Sequence, residues 1–370
     1  MVNAMRYIRL GMIGGGEGAL IGNVHRIAAR LDDRFSLVAG VFSSNPDRSN
    51  AFASKLGLRG YDSVDAFING ETVRDDGVQA VSIVTPNHLH AAAAIKCLDA
   101  GLHVICDKPL SATPAQAARI AQAVENCSAQ FFLTHNYTGY PMVRLARDMV
   151  ARGELGALRL IAVNYVQGWL ANPIETEGHK QAEWRTNPAQ SGAGAIGDIG
   201  THAYNLACFV TGQDAQSLSA ELNTFVQGRA LDDNAFVNLR YDSGLRGSIW
   251  ASQVAIGSNN DLSLKLVGER AALDWEQENP NELRFSKIDE PTQIITRGQM
   301  GSDEWSRTPP GHPEGFIEAF ANLYGDVADC LQSGQINPTV PGIADGLVGM
   351  SFIQACQISH EKDGQWTPLV

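Results

Sequence analysis

The sequence has no cysteine pair at metal-binding spacing. Its six cysteines, Cys97, Cys106, Cys127, Cys208, Cys330 and Cys356, form no CxxC and join no His-Cys cluster. A zinc site is therefore without ligands and no metal is expected; the thiols read as reduced and mostly buried in a cytoplasmic protein. No apolar run approaches the roughly 20 residues that cross a bilayer. Residues 1–9 carry two arginines and run straight into a strand-like stretch without an apolar signal core. Basic residues are scarce, 28 Lys and Arg against 40 Asp and Glu for a net charge of −12, which excludes a broad phosphate-binding surface. Neither nucleic acid nor membrane is an expected partner. Internal repeats and low-complexity runs are missing too. What remains is 370 residues, 44% hydrophobic and 18% charged, enough for a large core split between two domains.

The first third alternates short apolar runs with helical stretches, the rhythm of βαβ units on a parallel sheet. Strands are expected at residues 10–13, 35–42, 80–84, 103–106 and 131–134, with helices at 23–31, 89–99 and 114–126. From residue 158 the texture changes to closely spaced alternating segments at 158–167, 217–227, 235–241, 245–254, 262–267, 271–275 and 282–285, which favours antiparallel pairing. Helical patterns at 313–333 and 343–361 close the chain. The expected architecture is an α/β Rossmann domain with a parallel sheet (residues 1–134), followed by an α+β domain with an open, mainly antiparallel sheet (135–312). The closing helices (313–370) would pack back on the first domain.

Ile13-Gly14-Gly15-Gly16-Glu17-Gly18-Ala19-Leu20-Ile21-Gly22 follows a strand and precedes a helix, the context of a dinucleotide fingerprint. Glycines let the backbone approach a pyrophosphate whose charge sits at the helix N-terminus. The third glycine of the fingerprint has two candidates: Ala19 satisfies the simple spacing, and Gly22 fits a longer loop. Gly14, Gly16, Gly18, Ala19 and Leu20 are thus candidate cofactor contacts. The second strand ends in Ser43-Ser44-Asn45-Pro46-Asp47-Arg48, where NAD enzymes usually carry an acid for the ribose hydroxyls. Ser43 and Ser44 bring no carboxylate to repel a 2′-phosphate, and Arg48 can neutralise one, so an NAD(P) cofactor is expected with NADP favoured over NAD.

Three further motifs complete the pattern: Thr85-Pro86-Asn87-His88-Leu89-His90, then His103-Val104-Ile105-Cys106-Asp107-Lys108-Pro109, then Gly197-Asp198-Ile199-Gly200-Thr201-His202. Lys108 ends an apolar run, while Asp198 and His202 stand four apart, on one face of an expected helix. Together they supply three groups able to manage the proton of a substrate hydroxyl. In order and spacing these motifs resemble the glucose-fructose oxidoreductase and inositol dehydrogenase family over essentially the whole chain. That resemblance implies a Rossmann domain holding a nicotinamide cofactor and an open-sheet domain for substrate and subunit contacts, in a homodimer or homotetramer. It makes Lys108 the active-site lysine of a Glu-Lys-Pro motif in which Asp107 replaces glutamate, with a cis Lys108-Pro109 bond. It also matches Asp198 and His202 to the family's aspartate and histidine, and places Thr85, Pro86, Asn87 and His90, with Asp107, around the nicotinamide end. Asn205 stands where many relatives carry an aspartate.

Oxidising a secondary alcohol needs a base for the hydroxyl proton while hydride leaves carbon. His202 is the natural base, since an imidazole ordinarily titrates near neutrality, and Asp198 can fix its tautomer. Lys108 can stabilise the alkoxide, or take the proton itself if burial depresses its pKa, and both assignments stay open. On the substrate side Asn136, Tyr137 and Tyr140 follow the last Rossmann strand, and Trp184 and Arg185 lie in a polar, aromatic stretch before the Asp198 helix. His312 opens a late helix. Aromatic rings with hydroxyl-reading groups suit a small-molecule carbohydrate or polyol. The competing readings are a dehydrogenase for a charged small molecule held by Lys180 or Arg185, and a non-catalytic dinucleotide-binding sensor.

Overall fold

The computed structural model describes residues 7–369, so the reading of residues 1–6 as free of a signal core lies outside them. The chain divides into two compact units: one built from the chain up to Asn136 plus Phe316–Leu347, the other from Tyr137–Gly315 plus the residues from Val348.

The first unit is a six-stranded parallel sheet. Its strands β1 (Ile8–Gly14), β2 (Phe35–Val41), β3 (Arg59–Gly60), β4 (Ala80–Val84), β5 (His103–Cys106) and β6 (Phe131–Leu133) lie in the order β3-β2-β1-β4-β5-β6. That order reverses between β1 and β4, and ligands of open α/β sheets bind beyond the carboxyl ends of strands at such a point. Helices α1 (Leu20–Leu31), α2 (Pro46–Lys55), α3 (Val64–Glu71), α4 (His90–Asp99) and α5 (Pro114–Glu125) connect the strands. Helix α1 buries Val24 and Ala28 with Leu10, Phe35, Phe320, Tyr324 and Val327 of β1, β2 and the helix Phe316–Ser333. Side chains cap α2, α3 and α5: the Asn45, Ser63 and Thr113 oxygens accept from the backbone N–H groups of Arg48, Ala66 and Gln116, each cap worth about 1 kcal/mol.

Two of these helices are short and bury few side chains. α2 buries only Ser49 and Ala53, and α3 only Phe67 and Glu71, too few positions to show a 3.6-residue period. α1 begins at Leu20, three residues before the expected start, because its first turn leaves Leu20 75% exposed and contains Gly22.

The second unit holds a nine-stranded sheet: β7 (Leu158–Val166), β8 (Ser217–Asn223), β9 (Asn234–Arg240), β10 (Arg246–Ser252), β11 (Asp261–Gly268), β12 (Ala271–Glu276), β13 (Glu282–Lys287), β14 (Gln293–Thr296) and β15 (Thr367–Pro368), in the order β14-β13-β12-β11-β7-β10-β9-β8-β15. All pairs are antiparallel except β7 with β10, so the sheet is mainly antiparallel but mixed. Val163, Val237, Leu239, Ile249, Ala251, Leu264, Leu266 and Leu273 fill the buried face, while Leu160, Phe236 and Trp250 stand on the other. Register is fixed by that alternation, since a one-residue slip would exchange the faces. Helices α6 (Pro141–Ala151), α7 (Lys180–Arg185), α8 (Pro188–Ser191) and α9 (Thr201–Thr211) belong to this unit, with α9 packed on β7 and β10. A single π-helical turn, Ile196–Gly200, leads into α9, in place of the uninterrupted α-helix the motif spacing suggests. The last helix, Ile343–Glu361, begins in the first unit and continues in the second.

Candidate active site

The glycine-rich loop turns sharply at the end of β1, with φ of 89°, 67° and 78° at Gly14, Gly15 and Gly18, conformations that disfavour any side chain. A Cβ on Gly16 would stand 2.2 Å from the Phe42 carbonyl oxygen, and one on Gly22 would stand 2.3 Å from the Gly15 Cα. Gly22 thus provides the close approach of helix to loop, while Ala19 is the N-cap residue of α1 and offers no side-chain hydrogen bond. Leu20 opens the helix, and no acid lies in its first turn. The loop is a backbone cradle facing an uncapped helix N-terminus, the arrangement that holds a pyrophosphate. Ser43 Oγ accepts from the Asn45 N–H at 3.1 Å. Ser44 and Arg48 are exposed, with Arg48 in the first turn of α2.

Beyond β4, the buried His90 ring contacts two carbonyl oxygens, Thr85 O from Nε2 at 2.8 Å and Pro109 O from Nδ1 at 3.0 Å. It ties the Thr85-Pro86-Asn87 turn to the cis Lys108-Pro109 peptide. Burial lowers its pKa, opposed by Asp107 and these carbonyls. Asp107 Oδ1 accepts from the Lys108 backbone N–H and the Thr134 hydroxyl, each at 2.9 Å, so this carboxylate fixes the backbone from which Lys108 projects. His135 lies close enough to feel the Lys108 charge. Burial, then that charge, pushes its pKa down to about 3, so it stays neutral. Thr85 Oγ1 and Asn136 Nδ2 are buried without a hydrogen-bond partner among the described residues, two polar atoms available to a ligand.

In the second unit Asp198 sits in the π-helical turn, an irregularity frequent at functional sites. Its Oδ2 accepts from Gln253 Nε2 at 2.9 Å and Arg185 Nε at 3.2 Å. The Arg185 guanidinium lies 4.2 Å from the Trp184 ring centroid and donates to Gln181 Oε1 at 2.6 Å. Asp232 anchors the approach to that turn, its two oxygens accepting from Gly194 N at 2.9 Å and Ile196 N at 2.8 Å. His202, 7% exposed, packs edge-on against Tyr137 with centroids 4.8 Å apart. Tyr137 and Tyr165 share a hydroxyl contact of 2.5 Å, and Asn260 accepts from Tyr165 at 2.8 Å. Burial raises both phenol pKa values, so they act as neutral hydrogen-bonding groups. The His312 side chain is exposed, and Arg297 and Thr308 bond only its carbonyl.

Within the first unit the structure gathers the glycine loop, the Thr85–His90 turn and Lys108 along one strand edge. Within the second it gathers Asp198, Arg185 and Trp184, with Tyr137 beside His202. Gln253, Asp232, Tyr165 and Asn260 are additions. Only Gln253 left a sequence signal, a polar residue closing a strand whose inward positions are otherwise small or apolar. Among the described residues no group of three His, Cys, Asp or Glu side chains can hold a metal ion, and no helix is long and apolar enough to cross a membrane.

Two family models match in succession: "Oxidoreductase family, NAD-binding Rossmann fold" over residues 8–135 and "GFO/IDH/MocA C-terminal domain" over 143–274. The chain belongs to the Gfo/Idh/MocA oxidoreductase family. Among relatives of this Gfo/Idh/MocA member, an oxidoreductase from Sinorhizobium meliloti is 45% identical, with a TM-score of 0.89 over 98% of this chain and 99% of that one. An inositol dehydrogenase homologue from Azotobacter vinelandii, solved with NADH and myo-inositol, is 34% identical with a TM-score of 0.91 over 98% of both chains. The levoglucosan dehydrogenase of Pseudarthrobacter phenanthrenivorans is 27% identical over 84% of this chain and 83% of its own. This Gfo/Idh/MocA protein is therefore an NAD-binding oxidoreductase whose relatives include sugar and polyol dehydrogenases.

Proposed function

We propose that the protein oxidises a secondary hydroxyl of a sugar, glycoside or cyclic polyol, with Lys108, Asp198 and His202 as its catalytic residues. The observation that carries this reading is its likeness to the inositol dehydrogenase homologue holding NADH and myo-inositol, 34% identical along 98% of the chain. The cradle of Gly14, Gly16, Gly18 and Gly22, which added Cβ atoms would block, supports the cofactor half, with Thr85 and Asn87 toward the nicotinamide end. When bound, the nicotinamide accepts the hydride that leaves the carbinol carbon. His202 takes the hydroxyl proton as that hydride departs. Asp198, held by Arg185 and Gln253, orients the site and stabilises the imidazolium. Lys108 donates to the same oxygen as it becomes a carbonyl, and Asn136, Tyr137 and Trp184 read the remaining hydroxyls.

Against a charged substrate stands the commitment of Arg185, one of its two candidate anion receptors, to Asp198 and Gln181; the other, Lys180, is exposed. Ser43 and the exposed Arg48 favour a 2′-phosphate, whereas the Azotobacter homologue was solved with NAD+ and with NADH. Calorimetric titration with both cofactor pairs decides between them. A homodimer or homotetramer rests on the open face of the nine-stranded sheet, where Phe225, Phe236, Trp250 and Ile256 line a depression of ≈ 780 Å³. A cytoplasmic location rests on six unpaired cysteines. The test is turnover of a polyol panel by wild type and Lys108→Met, with loss in the variant expected; equal turnover refutes the assignment.

A further inference from the structure

Helix α1 carries a buried arginine that the proposed chemistry does not use. Arg26 is only 9% exposed. Its Nη1 donates to the Gly15 carbonyl at 2.6 Å and lies 3.8 Å from Met12 Sδ, and its guanidinium sits 5.3 Å from the Phe52 ring centroid. Among the described residues no carboxylate comes within ion-pair distance of it. The charge it does sense is another cation, Arg30, which adds to burial in lowering its pKa. Glu17, the acid of the glycine-rich loop, is turned outward to Lys55 at 2.8 Å, and α1 has no acid in its first turn. A buried cation without an anion is costly, so this position calls for a counter-charge that the described residues do not supply.

The hydrogen bond to Gly15 shows where that counter-charge belongs. In a planar trans peptide, the carbonyl of one residue and the N–H of the next point in opposite directions. Drawing the Gly15 carbonyl down onto Arg26 therefore turns the Gly16 N–H outward, away from the helix body and toward the open side of the cradle. Gly16 has no room for a side chain against the Phe42 carbonyl, which holds this peptide close to the end of β2. A single guanidinium thereby sets the orientation of a phosphate-binding amide and places a positive charge behind it.

We propose that Arg26 is a positioning residue for the dinucleotide, holding the Gly15 peptide so that the Gly16 N–H meets the pyrophosphate and supplying a buried charge that the phosphates neutralise. It acts through the loop rather than by touching the cofactor. The proposal rests on the dinucleotide fold of the first unit and is independent of the substrate reading.

The test compares Arg26→Gln and Arg26→Lys with wild type by calorimetry and ligand-observed NMR. The probes are NADH, ADP-ribose, which keeps the pyrophosphate, and adenosine, which lacks it. The glutamine variant is expected to lose about tenfold or more in affinity for NADH and ADP-ribose, to bind adenosine as wild type does, and to recover most of the loss when lysine restores the charge. In parallel, the thermal midpoint of the cofactor-free protein should hold while the shift brought by saturating NADH shrinks. Wild-type NADH affinity in Arg26→Gln would overturn the proposal. So would a loss for adenosine equal to that for ADP-ribose, or a lysine variant as weak as the glutamine one.

Discussion

Among the buried histidines of the first unit, His25 and His135 make it sensitive to mild acid. The His25 Nδ1 meets the Tyr324 hydroxyl at 2.8 Å and its Nε2 has no partner among the described residues; burial lowers its pKa to about 4. His135 is lowered to about 3, by burial and then by Lys108. Both ionise near 6.5 in an unfolded chain. Between pH 6.5 and 4 the unfolded chain binds protons that the folded one refuses, so stability is complete above pH 6.5 and falls as the pH drops. At pH 5 neither folded pKa has yet been reached, so only the distance from 6.5 counts. Each histidine then costs about 2 kcal/mol, about 4 kcal/mol together, a large share of a typical domain's stability of about 5–15 kcal/mol. All six tryptophans lie in the second unit, so amide hydrogen exchange in β1 and β6 is the assay. Intrinsic-rate-corrected protection there should fall about a thousandfold between pH 7.5 and pH 5, and only about thirtyfold in His25→Gln. Equal protection at the two pH values, or an unchanged pH dependence in the variant, refutes the reasoning.

Other outcomes follow from the same contacts. Asp198→Asn, which keeps the shape but loses the charge facing Arg185, should lower kcat by about 10²- to 10⁴-fold with little change in NADH affinity; a near wild-type kcat in a steady-state assay refutes the role. Gly22→Ala, which drives a methyl into the Gly15 backbone, should weaken NADH binding at least about tenfold, and unchanged calorimetric affinity would contradict the close-packing argument. Trp250→Glu, placing a charge on the open sheet face, should convert the proposed homo-oligomer to monomers by light scattering while leaving the helical circular dichroism intact; an unchanged mass contradicts an interface on that face.

Much of this architecture was legible because its signals are local. The apolar runs of β1, β4 and β5, the glycine loop and the spacing of Lys108, Asp198 and His202 are written in contiguous residues. The parallel pairing of β7 with β10 is not, since β8 and β9 intervene in sequence and nothing in either strand announces its partner. Nor is the π-helical turn: Asp198 and His202 are four apart in any helix, and the entry to the turn is held by Asp232, reaching back to Gly194 and Ile196 from more than thirty residues away. Arg26 was hidden because an arginine on an amphipathic helix normally reads as solvated. Its burial depends on Phe52 and on the curl of the glycine loop, which only the folded chain brings together.

On the proposed function, hydride transfer from a polyhydroxylated substrate depends on Lys108 and His202. Its most direct measurement is the appearance of reduced nicotinamide when the purified protein meets NAD+ or NADP+ and a panel that includes myo-inositol and levoglucosan, beside Lys108→Met and His202→Asn. Turnover of at least one compound is expected, with near-complete loss in both variants and cofactor binding preserved. Turnover unaffected by either substitution, or none with any sugar or polyol in protein that binds its cofactor tightly, would contradict it.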